Sequence, residues 1–142
     1  MKTKNLFSGL LISLFFLFTL TGCEKDQNTL LADGVWTFEN LTTDSEDETT
    51  QSIIALGKAL LTNATLELQA DGNYLITSPL MEEPNTGTWS LIGDDRLIMN
   101  TEGEAASTGN IETLTKNQLT YIETFTDLNL NTYTVTTTWI RE

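Results

Sequence analysis

Thr65-Leu66-Glu67-Leu68-Gln69-Ala70-Asp71-Gly72-Asn73-Tyr74-Leu75-Ile76-Thr77 carries the argument for the fold. Side chains alternate along a strand, so Leu66 and Leu68 share one face. Asp71-Gly72 is a hairpin turn signal, and Asn73 to Thr77 resumes as a second strand. The pattern extends both ways. Upstream, Val35-Trp36-Thr37-Phe38-Glu39 sets Trp36 and Phe38 on one face. Downstream, a proline-containing loop leads to Thr88-Trp89-Ser90-Leu91-Ile92, and Gly93-Asp94-Asp95 turns the chain into Arg96-Leu97-Ile98-Met99. Asn110 to Leu114, Leu119 to Thr126 and Thr132 to Arg141 follow, with turns at Lys116-Asn117 and at Asp127 to Asn131. The 23 threonines after Cys23 favour strands. Eight strands at this spacing predict an all-β fold, an eight-stranded antiparallel up-and-down barrel.

One segment has another period. From Gln51 to Thr62 the apolar residues Ile53, Leu56 and Leu60 recur every three to four positions, with Ile54 and Leu61 alongside. This predicts a helix between strands one and two. Ser45 and Glu48 have capping-box spacing, and Glu46, Asp47 and Glu48 fall at its positive end. Gly57, on or near the apolar stripe, allows close approach to the barrel.

Composition excludes several functions. The chain has 142 residues, enough for one small domain. It has no His, one Cys, 7 basic and 20 acidic residues, for a formal charge of −13. Nucleic-acid binding draws on Lys and Arg and is not expected, nor is a basic patch for anionic lipid. The absence of His removes the commonest general base and metal ligand.

Met1 to Leu20 has the form of an export signal: Lys2 and Lys4, then an almost continuous apolar run from Leu6. The run is short for a membrane span of about 20 residues and fits a secretory signal. It ends Leu20-Thr21-Gly22-Cys23, which resembles the lipobox of bacterial lipoproteins. Small residues fit the signal peptidase cleft, and the thiol of Cys23 is the lipid acceptor. The resemblance implies a signal peptide over 1–22, an acylated (palmitate-bearing) Cys23 with a tether to residue 33, and a domain over 34–142. The processed chain keeps 120 residues and a formal charge of −15. Several acyl chains anchor firmly, so the partner implied is the lipid bilayer. Cys23-Glu24-Lys25-Asp26 distantly resembles a signal for the outer face of the outer membrane, and periplasmic and surface exposure both stay open. The tether, polar and without periodicity, spans at most about 35 Å if extended.

The mature domain carries a further set of motifs. Gly34-Val35-Trp36 opens strand one, Asp71-Gly72-Asn73-Tyr74 holds the second turn, Gly87-Thr88-Trp89 opens strand four, and Leu114-Thr115 precedes Leu119. In this order they resemble the lipocalin-like domain of small bacterial lipoproteins, over nearly all of 34–142. That family has a small up-and-down barrel. Lipocalins usually carry their helix after the barrel, whereas here it precedes strand two. Lipocalins also often set a late-strand Arg across the Trp of the opening Gly-x-Trp, and Arg141 and Trp36 resemble that pair as the closure of the barrel.

No catalytic set emerges. There is no Gly-x-Ser-x-Gly elbow, and the pairs Glu82/Glu83, Asp94/Asp95 and Glu102/Glu104 fall in loops, as solvated surface. Asp44-Ser45-Glu46-Asp47-Glu48 lacks the spacing of a calcium loop. No cofactor and no metal are expected. The aromatics Trp36, Phe38, Tyr74, Trp89, Tyr121, Phe125, Tyr133 and Trp139 are the candidate core-lining or ligand-lining set. An interior filled by these side chains is the favoured reading; a pocket for an amphipathic ligand is the alternative. Glu123 shares a face with Tyr121 and Phe125 by alternation, but the favoured reading turns Ile122 inward and Glu123 to solvent. The function expected is a membrane-anchored, non-enzymatic envelope lipoprotein of the outer membrane. Its domain binds a small apolar or amphipathic molecule, or alternatively another envelope protein.

Overall fold

A computed structural model describes residues 26–142. Cys23 and the signal segment lie outside the described residues. A short helix, α1 (Gln27–Ala32), precedes strand β1 (Val35–Thr43), and helix α2 (Glu48–Leu60) follows it. Then come β2 (Thr65–Leu68), β3 (Asn73–Thr77), β4 (Asn85–Ile92), β5 (Arg96–Thr101), β6 (Ser107–Leu114), β7 (Gln118–Thr126) and β8 (Thr132–Ile140). Each strand pairs with its sequence neighbour, and β1 pairs antiparallel with β8, closing an eight-stranded barrel. Up-and-down connection follows from the short loops after β2, and closure removes the sheet edges except along β1 beyond Thr37. Among the described residues, the ring and its core come from Leu31 to Ile140, all within residues 24–142.

At one end of the barrel lie the start of β1, the end of β8 and the β2–β3, β4–β5 and β6–β7 turns. Gly72 makes the first of these turns with φ +89°, a conformation that L side chains resist. This end is sealed: Leu31, Trp36, Leu66, Leu68, Leu97, Leu119 and Trp139 are each less than 2% exposed. The other end carries the start of α2 and the β3–β4, β5–β6 and β7–β8 loops.

Two expectations are corrected here. The stretch expected as an aperiodic tether contains α1, whose Leu31 plugs the sealed end. Six residues are too few to show a helical period, and tertiary contacts hold this turn. Helix α2 starts at Glu48 rather than Gln51, and its cap is not the Ser45/Glu48 box. The Asp47 carboxylate accepts from the Thr50 backbone N–H at 2.7 Å and from its hydroxyl at 3.0 Å. Asp is as good an N-cap as Ser, and it stands the same three residues before its partner.

The face that α2 buries also differs. Ile53 and Leu56 are more than 60% exposed and Leu60 is exposed too, whereas Thr50 is buried and Ile54, Gly57 and Leu61 are half-buried. Both apolar rows have helical spacing. Gly57 decides between them, because a Cβ there stands only 3.3 Å from Leu41 Cδ2. The β1–β2 ladder covers only Val35 to Thr37, and α2 packs beside the part of β1 that β2 leaves unpaired.

Candidate functional site

Alternation and pairing define the barrel interior. In β8, Tyr133, Val135, Thr137 and Trp139 point inward; in β7, Leu119, Tyr121, Glu123 and Phe125 oppose them. Glu123 therefore faces the interior beside Val135 and Gly109, not solvent, and this corrects the sequence-based expectation. A bulge in β6 between Ile111 and Thr113 fixes the register, and register decides which face a residue takes.

Of the eight aromatics, six lie in the core: Trp36, Phe38, Tyr74, Trp89, Tyr121 and Trp139. Phe38 meets Trp139 edge-on at 5.5 Å between ring centres. Phe125 and Tyr133 are instead stacked at 5.8 Å on the rim of the unsealed end, where Phe125 is exposed. The filled interior expected from sequence thus describes the sealed half.

The upper half is polar. Tyr74 donates its hydroxyl to Asn85 Oδ1 at 2.9 Å and lies 2.6 Å from Thr101 Oγ1. Across the barrel, the ring of Tyr121 lies over Gly109, where a Cβ would meet Tyr121 Cδ2 at 2.6 Å. Burial, and then the adjacent Glu123 charge, push the Tyr121 phenol up to about 12. Thr137 and the Trp139 indole stand beside that phenol, yet Trp139 Nε1 is off hydrogen-bond geometry and has no partner. An unpaired buried donor costs about 1–3 kcal/mol.

Burial pushes the Glu123 carboxyl above its ordinary value, partly offset by the Ser107 hydroxyl. A carboxyl raised in the folded state binds its proton more tightly there than in the unfolded chain. Its contribution therefore destabilises as pH rises from the unfolded value through the folded one, and is absent below both. Backbone and side-chain donors act in the opposite direction on Asp44, Asp71 and Asp127, all held low.

Ser107, Thr101, Asn85 and Thr137 escaped the sequence reading. Threonine is too frequent in this chain to mark a site; the one signal that was missed is Gly109 inside a strand, a sign of close approach. The acidic loop 44–48 spends its carboxylates locally: Asp44 accepts from Thr134 N–H at 2.6 Å, and Asp47 caps α2. Among the described residues no three His, Cys, Asp or Glu side chains gather as metal ligands.

The sealed end holds the other singled-out pair. The Arg141 guanidinium lies 4.1 Å above the Trp36 ring. It donates to the carbonyls of Lys116, Leu30 and Asp33, while Trp36 Nε1 donates to Leu31 O at 2.9 Å. These bonds lash α1 to the end of β8.

The sequence matches the lipocalin-like domain family over residues 31–121. The chain belongs to that family. The match begins at Leu31, the plug residue of α1, and ends at Tyr121 in the upper wall. No curated protein matches the chain. A lipocalin-like barrel is a ligand-binding architecture, and in this one the polar groups gather in the half away from α1. Outside the lipocalin-like interior, a groove of about 530 Å³ runs between α1, Gly72 and Ser90. A rim crevice of about 320 Å³ lies between Ile53 of α2 and Leu128 of the β7–β8 loop.

Proposed function

We propose that this protein is a membrane-anchored, non-enzymatic envelope lipoprotein whose barrel holds a small amphipathic ligand in its upper half. The observation that carries the ligand reading is the unpartnered Trp139 N–H, buried beside Tyr121 and Thr137 with the Glu123 carboxylate above them. A core meant only to be filled has no use for a buried N–H without a partner, which costs stability. Native mass spectrometry tests the reading. Residues 24–142, exposed to envelope extract, are expected to retain a small molecule; a chain that emerges bare counts against it.

The anchor rests on Leu20-Thr21-Gly22-Cys23. Cys23→Ser is expected to block processing and release the protein from the membrane fraction after detergent-free lysis. Normal maturation and fractionation of that variant would rule out the lipid anchor. With Cys23 four positions before α1, the connecting chain spans at most about 14 Å. The sealed end then lies next to the outer membrane, and the rim points away from it.

A second reading is favoured by the exposed row Ile53, Leu56 and Leu60 on α2, with Leu80 exposed in the β3–β4 loop. Ser78 Oγ donates to Leu60 O and ties that loop to the helix. This apolar row supports docking onto another envelope protein.

A further inference from the structure

Among the described residues, the basic groups of the strands and turns lie at the sealed end beside Asp33, Asp71, Asp94, Asp95 and Glu142, while the loops of the other end are acidic without a basic residue. Arg96, Lys116 and Arg141 lie at the sealed end, and Lys58 donates to Asn40 Oδ1 on the outside of α2. Asp44, Glu46, Asp47, Glu48, Glu82, Glu83, Glu102, Glu104 and Asp127 all fall in the loops and helix start of the other end. Inside that ring Glu123 faces the interior, and no cation among the described residues faces it. The groups packed around it are Ser107 and Gly109 of β6, Val135 and Tyr133 of β8, and the phenol of Tyr121.

A half-buried carboxylate in a poorly polarisable interior interacts strongly with an arriving opposite charge. The surrounding acidic loops raise the local concentration of cations and repel anions. The same rim is apolar at Ile53, Leu80, Leu128 and Leu130, all exposed, and the crevice between Ile53 and Leu128 includes Tyr133 and Asp127. Acidic loops alone are ordinary surface. Glu123 is set apart from them by its place inside the barrel, fixed by its pairing with Gly109 and Val135.

We propose that the barrel binds a positively charged amphiphile, its ammonium or guanidinium group against Glu123 and its apolar body between Phe125, Tyr133 and the leucines of the rim. This deepens the ligand-binding reading above and rests on it. Fatty-acid-like anions are excluded by the same charges that admit the cation.

The experiment compares three eight-carbon probes below their micelle concentrations, octylammonium, octyl glucoside and octanoate, by calorimetric titration of residues 24–142. Octylammonium is expected to bind at least about tenfold tighter than the other two, as a charge-assisted contact gives. Glu123→Gln should remove that preference and leave octyl glucoside binding in place. Equal affinity for all three probes overturns the cation proposal while leaving a ligand-binding barrel. A preference that survives Glu123→Gln overturns the assignment to Glu123 and transfers it to the loops. Failure of every probe overturns this proposal and the ligand-binding reading together. Glu123→Met, similar in size, replaces the Gln variant if that one does not fold, and the selectivity of the unaltered protein is decisive by itself.

Discussion

Gly87→Ala is expected to cost about 3 kcal/mol or more of stability, near the top of the range for overpacking. Gly87 points into the barrel from β4, opposite Tyr74 of β3 and Thr101 of β5. A Cβ at this position would stand 2.0 Å from the Asn100 carbonyl oxygen, 2.9 Å from its carbon and 2.7 Å from Tyr74 Cε1. Two of these three atoms are backbone. A flexible side-chain tip can move aside, but Asn100 is held in the β4–β5 ladder, so the strands must part. Parting them also disturbs the Tyr74 hydroxyl, which bonds Asn85 and Thr101 on the same two strands. Urea denaturation should show the midpoint falling with little change in slope, and the melting temperature should drop by about 10 °C. A variant within about 0.5 kcal/mol of the parent would mean that β4 and β5 are not packed as described.

This glycine shows how much the sequence disclosed. Gly87-Thr88-Trp89 stood out as a motif, but the reason for its glycine is a carbonyl on the next strand, and alternation along one strand says nothing about its neighbour. The eight strands were legible because each alternates over several residues and ends at a turn signal such as Asp71-Gly72. Helix α1 was not legible, since its stability lies in the burial of Leu31 and in bonds from Trp36, just beyond the helix, and from Arg141, 111 residues from Leu30. In α2 the sequence offered two apolar rows, Ile53-Leu56-Leu60 and Ile54-Leu61, and only the contact between Gly57 and Leu41 shows which is buried. Glu123 was ambiguous for a related reason. Its face depends on pairing with Gly109 and Val135, and a β6 bulge sets that pairing. The aromatic part of the candidate site was readable from composition; its hydroxyl-bearing part, Ser107, Thr101 and Thr137, was hidden among many similar residues.

The sealed end supports the other large effect. Trp36→Ala should destabilise by about 3–5 kcal/mol, the usual cost of emptying a buried aromatic site. Trp36 is fully buried, and its loss leaves Leu31 O without its donor and the Arg141 guanidinium without the ring beneath it. Arg141→Met keeps an apolar stem over that ring and should cost less, about 1–2 kcal/mol. That figure covers a cation–π contact and bonds to the carbonyls of Lys116, Leu30 and Asp33. The informative quantity is the coupling between the two. If the guanidinium works through the indole, Arg141→Met in the Trp36→Ala background should cost about 0.5–2 kcal/mol less than in the parent. If the two changes add, Arg141 acts only as a strap across the carbonyls, and the cation–π contact contributes nothing measurable. Chemical denaturation of the four proteins separates these outcomes. In either case α1 should be the first element released when Arg141 is lost, because two of the guanidinium's three carbonyl partners belong to α1 and the residue that ends it. Hydrogen exchange at Leu30 and Leu31 in the Arg141→Met protein should then accelerate while the β7–β8 ladder stays protected. Equal acceleration in both would mean that the sealed end and the barrel wall open as one cooperative unit.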